Sequence, residues 1–281
     1  MGHKVSSREL GLILGARLLK TEDLHYGYWT DGLKVSFANL PAAQAAYCDY
    51  LLGKIPPDVK TILDVGCGTG HVAQLLLQRG YRVECVSPAP LLTEAARKRL
   101  GPDVTIYPTT LEALSTPNTY DLLLFSESFQ YISPRESLPR ANRLLRAGGY
   151  VLLSDFFSVE GSGPSALGGG HPLKAFYATL AQQPFRVLLD EDITARTAPN
   201  LKLIDDMLQD YVMPVWDALG YYFRSNRPWL TRLARPFLRR RLKKLEFKYF
   251  SRQRTAEEFV KHKSYHCMLL QKTGETGSAA E

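Results

Sequence analysis

Ile62-Leu63-Asp64-Val65-Gly66-Cys67-Gly68-Thr69-Gly70 is the stretch that decides how this chain folds. An apolar run from Thr61 to Val65 carries a single acid and ends on three alternate glycines. A short run of that kind reads as a buried strand, and glycines directly after it allow a tight turn into a helix, predicted from Val72 to Leu77. They also let the backbone approach a ligand closely at the start of that helix. A strand–turn–helix with no ligand is the plainer alternative.

Working outward, the same alternation continues in both directions. Further strands are predicted at Tyr81–Val86, Val104–Tyr107, Tyr120–Phe125, Tyr150–Phe156, Phe185–Leu189 and Tyr265–Gln271. Helices are predicted at 8–20, 36–53, 91–100, 136–146 and 172–183, with a short one near 111–114. Strands separated by helix-length segments predict an α/β fold on a mostly parallel sheet with right-handed crossovers. The chain divides into N-terminal helices with an aromatic patch (1–55), an α/β core (56–191), a helical insertion (192–262), a last strand (263–272) and a flexible tail (273–281).

Composition excludes several classes. The 281 residues are 45% hydrophobic and 22% charged, which rules against a collagen, a disordered tail or a bare coiled coil. No apolar run reaches the roughly 18 to 20 residues of a membrane span, and no small-residue cleavage site follows Leu10–Leu19. The four cysteines lack C-x-x-C spacing, so free thiols in the cytoplasm are expected. With the six histidines they form no ligand-spaced cluster, and no metal is expected. The net charge of +7 is uneven: residues 224–254 hold twelve Lys or Arg and one acid, leaving −4 on the rest.

The glycine turn reads G-x-G-x-G with an acid two residues ahead, whereas a nicotinamide-binding loop reads G-x-G-x-x-G. This form resembles motif I of class I S-adenosylmethionine-dependent methyltransferases, and in particular their tocopherol- and sterol-type small-molecule members. The resemblance implies a Rossmann-like seven-stranded sheet with an antiparallel last strand and a helical substrate cap. It implies S-adenosyl-L-methionine as cofactor, held by Asp64, Gly66, Cys67, Gly68 and Gly70. Ser87 stands where the family usually has a ribose-binding acid, since Glu84 falls three residues early. Thr110 and Leu111 stand near the expected adenine position. Ser126-Glu127-Ser128 is similar to the segment after the fourth strand, with Tyr131 where His is common, and Arg143–Gly149 to the turn before the fifth.

Methyl transfer is an in-line displacement that needs alignment, exclusion of water and an outlet for one proton or positive charge. It requires no metal. His25-Tyr26-Gly27-Tyr28-Trp29 resembles the aromatic lid of the sterol and tocopherol enzymes. Its rings would attract a sulfonium or a substrate carbocation, with Tyr26 and Tyr28 on the reacting groups and Tyr28 and Trp29 on the cofactor. Packing of these rings in an ordinary core is the alternative. Glu127, just past a strand end, is the candidate base or cation stabiliser, with Gln130 and Tyr131 orienting the acceptor, and a helix-capping acid is the alternative. His171, after the glycine-rich loop, is a candidate proton acceptor or a solvent-exposed loop residue.

The insertion resembles a cover over an oily acceptor, followed by an amphipathic basic stretch over 228–250. That stretch suits an anionic membrane surface, an anionic acceptor or only solvent. No base-amino motif follows the fourth strand, so nucleic acid is not expected as a partner. The expected acceptor is a small lipophilic molecule such as a prenyl quinol, a sterol or isoprenoid, or a natural-product ring, methylated on carbon. N- or O-methylation of an alkaloid-like amine is the rival, and a non-catalytic cofactor-binding membrane-peripheral protein the third reading.

Overall fold

The computed structural model describes residues 23–227, 229, 240, 251–252 and 254–274. The predicted helix 8–20 lies outside them, as do most of the basic stretch 228–250 and the tail beyond Gly274.

Seven strands form one sheet in the order β3-β2-β1-β4-β5-β7-β6. They are β1 (Thr61–Val65), β2 (Arg82–Val86), β3 (Ile106–Tyr107), β4 (Tyr120–Ser126), β5 (Leu145–Ser158), β6 (Phe185–Asp192) and β7 (Lys263–Lys272). The pairs from β3 to β5 are parallel, and β7 runs antiparallel between β5 and β6. The sheet is buried on both faces, and side chains alternate between them. Ile62, Leu122, Leu124, Leu152, Cys267 and Leu269 pack on one side. Leu63, Val65, Leu123, Phe125, Val151 and Leu153 pack on the other. This two-sided burial explains why the central strands read as continuous apolar runs.

The helices are α1 (Leu40–Leu52), α2 (His71–Gln78), α3 (Pro90–Leu100), α4 (Pro134–Leu144), α5 (Leu173–Leu180), α6 (Thr194–Thr197), α7 (Pro199–Met207), α8 (Met213–Asn226) and α9 (Ala256–His262). Pro90, Pro134 and Pro199 each open a helix, where a missing N–H costs nothing. The predicted helix near 111–114 is only a turn, and its Leu111 is core. The third strand shrinks to two residues at one edge of the sheet. Among the described residues, no helix is long and apolar enough to cross a membrane.

Helices α6 to α9 lie between β6 and β7 in the chain, and this insertion grips the aromatic segment. Gly27 N–H donates to Asn200 Oδ1 at 2.9 Å, and Asn200 Nδ2 returns a bond to Gly27 O at 2.7 Å. Gly27 is required there, because a Cβ would stand 2.6 Å from the Cβ of Ala43 on α1.

Candidate active site

Sheet order reverses between β1 and β4, and the crevice beyond their carboxyl ends is the ligand position of open α/β sheets. A cleft lies there, walled by Asp64, Gly66, Cys67 and Gly68 from the β1 turn. Ser87 at the end of β2 and Ser126, Glu127 and Tyr131 after β4 complete the wall, with Asp23, His25 and His71 at one side.

The turn is shaped by close packing. Gly66 has φ +80, and a Cβ on it would fall 2.6 Å from the Cβ of Ser128. Ser128 Oγ donates to the Val65 carbonyl, tying the β4 loop to the β1 end. Gly68 also has positive φ, but nothing stands within 4 Å of its would-be Cβ, so its backbone borders open space. The backbone is thus exposed to the cleft where a bound group would lie.

Three carboxyl groups are buried at this end of the sheet. Asp64 is 2% exposed, its Oδ2 has no hydrogen-bond partner, and burial pushes its carboxyl up to about 7. Glu127 accepts from the Tyr26 N–H at 2.7 Å and from the Tyr265 hydroxyl at 2.9 Å. Burial, reinforced by the nearby Asp155, pushes Glu127 up to about 8 against those bonds. Its φ of +51 is a costly conformation for a residue with a side chain, and such strain concentrates at functional sites. Asp155 accepts from the Gln130 N–H at 2.9 Å and from its amide at 3.0 Å, and burial lifts it to about 7. The Tyr47 hydroxyl lies 3.0 Å from Ser126 Oγ and 3.3 Å from the Tyr265 hydroxyl, which extends the network. Burial keeps the Tyr26, Tyr47 and Tyr265 hydroxyls protonated, and that of Tyr265 donates to Glu127.

The structure gathers some of the predicted residues and separates others. Asp64, Gly66, Cys67, Gly68, Ser87, Ser126, Glu127 and Tyr131 share the cleft wall, and Tyr131 is 51% exposed on it. Gly70 is not on the wall. It caps α2 with φ +82, and a Cβ on it would stand 3.2 Å from Ala96 on α3. Tyr26 reaches Glu127 through its backbone, while its ring packs with Phe156, Phe259 and Tyr265.

Tyr28 and Trp29 are not at the cleft. Tyr28 stacks on Tyr50 with centroids 4.7 Å apart, and Trp29 is buried against Leu40, Ala43 and Leu203, because the Asn200 clamp turns the chain inward at Gly27. Thr110 is exposed with its hydroxyl on the Ala113 N–H, and Leu111 faces the core, so neither side chain lines the cleft. His171 lies elsewhere: its Nε2 is 2.8 Å from the Ile132 carbonyl and 3.1 Å from that of Phe129. That nitrogen must carry the proton, so His171 pins the loop rather than serving the cleft. Glu84, in the middle of β2, accepts from Tyr107, Tyr120 and Asn118 and does not line the cleft, whereas Ser87 just past the strand's end does.

Sequence reasoning placed His25 in the aromatic segment but missed Asp155, Tyr47, Tyr265, Asp23 and His71. Asp155 left one signal, an acid inside an otherwise apolar strand. His25, Cys48 and His71, which have no ligand-like spacing in the sequence, each place an atom within 4.8 Å of the others.

Comparison with known proteins agrees with this geometry. Residues 62–149 match the family described as methyltransferase domain. An uncharacterised methyltransferase of Mycobacterium bovis is 32% identical over 101 residues, 36% of this chain and 40% of that protein. The chain spans about two fifths of the length of that relative. Among solved structures, a 4+2 cyclase, SpnF, gives a TM-score of 0.65 at 17% identity, covering 95% of this chain and 96% of the other. Geranyl diphosphate C-methyltransferase of Streptomyces coelicolor gives 0.63 at 16%, covering 93% and 92%. These two likenesses are of fold. Residues 62–149, the centre of the α/β core, thus resemble a methyltransferase domain.

The buried carboxyls make a prediction for the ligand-free protein. Each holds its proton to higher pH in the folded than in the unfolded chain, so the native state binds more protons from the ordinary carboxylate range up to about 8. Stability therefore falls as pH rises through that window. Thermal unfolding across it should show a declining Tm, and Asp64→Asn should reduce the slope and raise Tm at the alkaline end. An identical slope in the variant would contradict the assignment.

Proposed function

We propose that the chain transfers a methyl group from S-adenosyl-L-methionine to a small lipophilic acceptor, with Glu127 as base or cation stabiliser. The observation that carries this reading is Asp64: a buried carboxyl with an unpartnered oxygen, on a cleft wall two residues before the first of three glycines. Such an oxygen costs free energy until a donor or cation meets it. The aminoalkyl sulfonium cofactor brings both. Asp64 would hold its amino group, the Gly66–Gly68 backbone would pass its methionine chain, and Ser87 would meet its ribose. When bound, it supplies a methyl carbon whose bond to sulfur breaks as the bond to the acceptor forms.

Glu127 suits the other half of the reaction. Tyr26 N–H and Tyr265 O–H hold one carboxylate oxygen, which fixes the side chain facing the cleft. Ionised, it can take the acceptor's proton or face a positive charge developing on it. The aromatic rings of Tyr26, Phe156, Phe259 and Tyr265 behind it favour an apolar acceptor and stabilise cationic character by ring attraction. This environment favours carbon over nitrogen or oxygen as the methylated atom, and an isoprenoid or natural-product ring as acceptor.

The test combines methyl-labelled cofactor with lipophilic extracts, followed by mass spectrometry of the labelled product. Both roles of Glu127 need the carboxylate, so kcat/KM for the cofactor should rise with pH up to about 8. Glu127→Gln should lose that rise and lower kcat on the order of a hundredfold. Unchanged turnover with the same pH profile would remove Glu127 from the chemistry.

A peripheral membrane contact belongs to the same reading. Tyr211, Val215, Tyr221 and Tyr222 on and beside α8 are exposed, and the sequence that follows is strongly basic. Apolar side chains beside such charge suit an anionic bilayer that dissolves the acceptor. Sedimentation with anionic vesicles should carry the protein down at low salt, and neutral vesicles should not. Equal behaviour with both would end this part of the proposal.

A further inference from the structure

Beside the cofactor cleft, three side chains from separate parts of the chain converge without a role in methyl transfer. His25 belongs to the aromatic segment, Cys48 to α1, and His71 opens α2. One ligand-capable atom of each lies within 4.8 Å of the others. The arrangement is oriented as well as close. His25 Nδ1 is 2.9 Å from the Tyr26 carbonyl, to which it must donate, so Nε2 presents its lone pair. That Nε2 is 3.5 Å from Cys48 Sγ. A tetrahedral Zn2+ with its usual bonds to sulfur and nitrogen separates those two atoms by about 3.6 Å.

His71 has a carboxylate behind it. Its Nδ1 is 2.6 Å from Asp23 Oδ1, a carboxylate contact of the kind that orients metal-bound histidines. Asp23 Oδ1 also lies 3.8 Å from His25 Nε2, so its charge faces the whole cluster.

We propose that His25, Cys48 and His71 form a binding site for Zn2+, with Asp23 positioning His71. Two imidazoles and a thiolate select a borderline-soft cation and disfavour Mg2+ or Ca2+, which take oxygen ligands. Binding breaks the Cys48 S–H bond, forms the sulfur–zinc bond and sends the proton to solvent. Thiolate and Asp23 then offset the two positive charges of the ion. Cys48 and His25 are nearly covered, whereas His71 is 30% exposed. Asp23, His25 and His71 line the cleft, which gives the ion an access route. Three protein ligands leave a fourth position for water or another donor.

The inference is independent of the methyltransferase reading and is tested without cofactor. Co2+ is titrated into the reduced, chelator-treated full chain. One equivalent should produce intense tetrahedral d–d bands and a thiolate-to-cobalt charge-transfer band, and Zn2+ should bleach both. Cys48→Ser should abolish the charge-transfer band. His71→Gln, at the most exposed ligand, should weaken binding tenfold or more while thermal unfolding of the metal-free protein stays close to wild type. Asp23→Asn should weaken it by about tenfold. A weak octahedral spectrum, no binding at one equivalent, or a charge-transfer band persisting in Cys48→Ser would overturn the proposal.

Discussion

The contact between Gly66 and Ser128 is the constraint on which the site depends. Because Gly66 has no side chain, Ser128 can sit against the end of β1 and donate to the Val65 carbonyl. That tie draws the loop after β4 over the turn after β1, at the point where strand order reverses. Glu127, one residue earlier, then takes a left-handed backbone conformation with its N–H on the Ser154 carbonyl at 2.8 Å. The carboxylate therefore faces the same cleft as Asp64. A bulkier residue at 66 would push the two strand ends apart and separate these groups.

The same geometry collects negative charge at a cost. Asp64, Glu127 and Asp155 sit on adjacent strands at one end of the sheet, each with its carboxyl raised mainly by burial. They differ in how they are compensated. Asp155 is held by backbone and amide donors from Gln130 and Phe156, Glu127 by one backbone and one phenolic donor, and Asp64 Oδ2 by nothing. This gradient runs from a structural acid to one that awaits a partner. A cationic ligand reverses the balance, since its charge favours the ionised carboxyls that burial disfavours. Burial of these carboxyls thus carries an electrostatic cost that a bound cation would offset.

Much of this was legible before any coordinates. The central strands announced themselves because burial on both faces leaves uninterrupted apolar runs, and Asp64 through Gly70 carried its own chemistry in adjacent residues. What the sequence hid were partnerships between distant residues. Tyr28 and Trp29 look like their neighbour Tyr26, and only the Asn200 clamp at Gly27 decides which of the rings turn inward. Glu84 and Ser87 are three residues apart, yet Glu84 is bonded to Tyr107 within β2 while Ser87, just past the strand's end, lines the cleft. His25, Cys48 and His71 have no ligand-like spacing along the chain, since a loop and two helices bring them together.

The central claim is that the cleft holds a cationic cofactor against buried, proton-retaining carboxyls. Calorimetric titration of S-adenosyl-L-methionine near neutral pH, in two buffers of different ionisation enthalpy, tests it most directly. The account predicts one molecule bound at tens-of-micromolar affinity or tighter, with heats that differ between buffers because protons leave the carboxyls on binding. Absence of binding in both buffers, or binding with identical heats and no proton release, would contradict it.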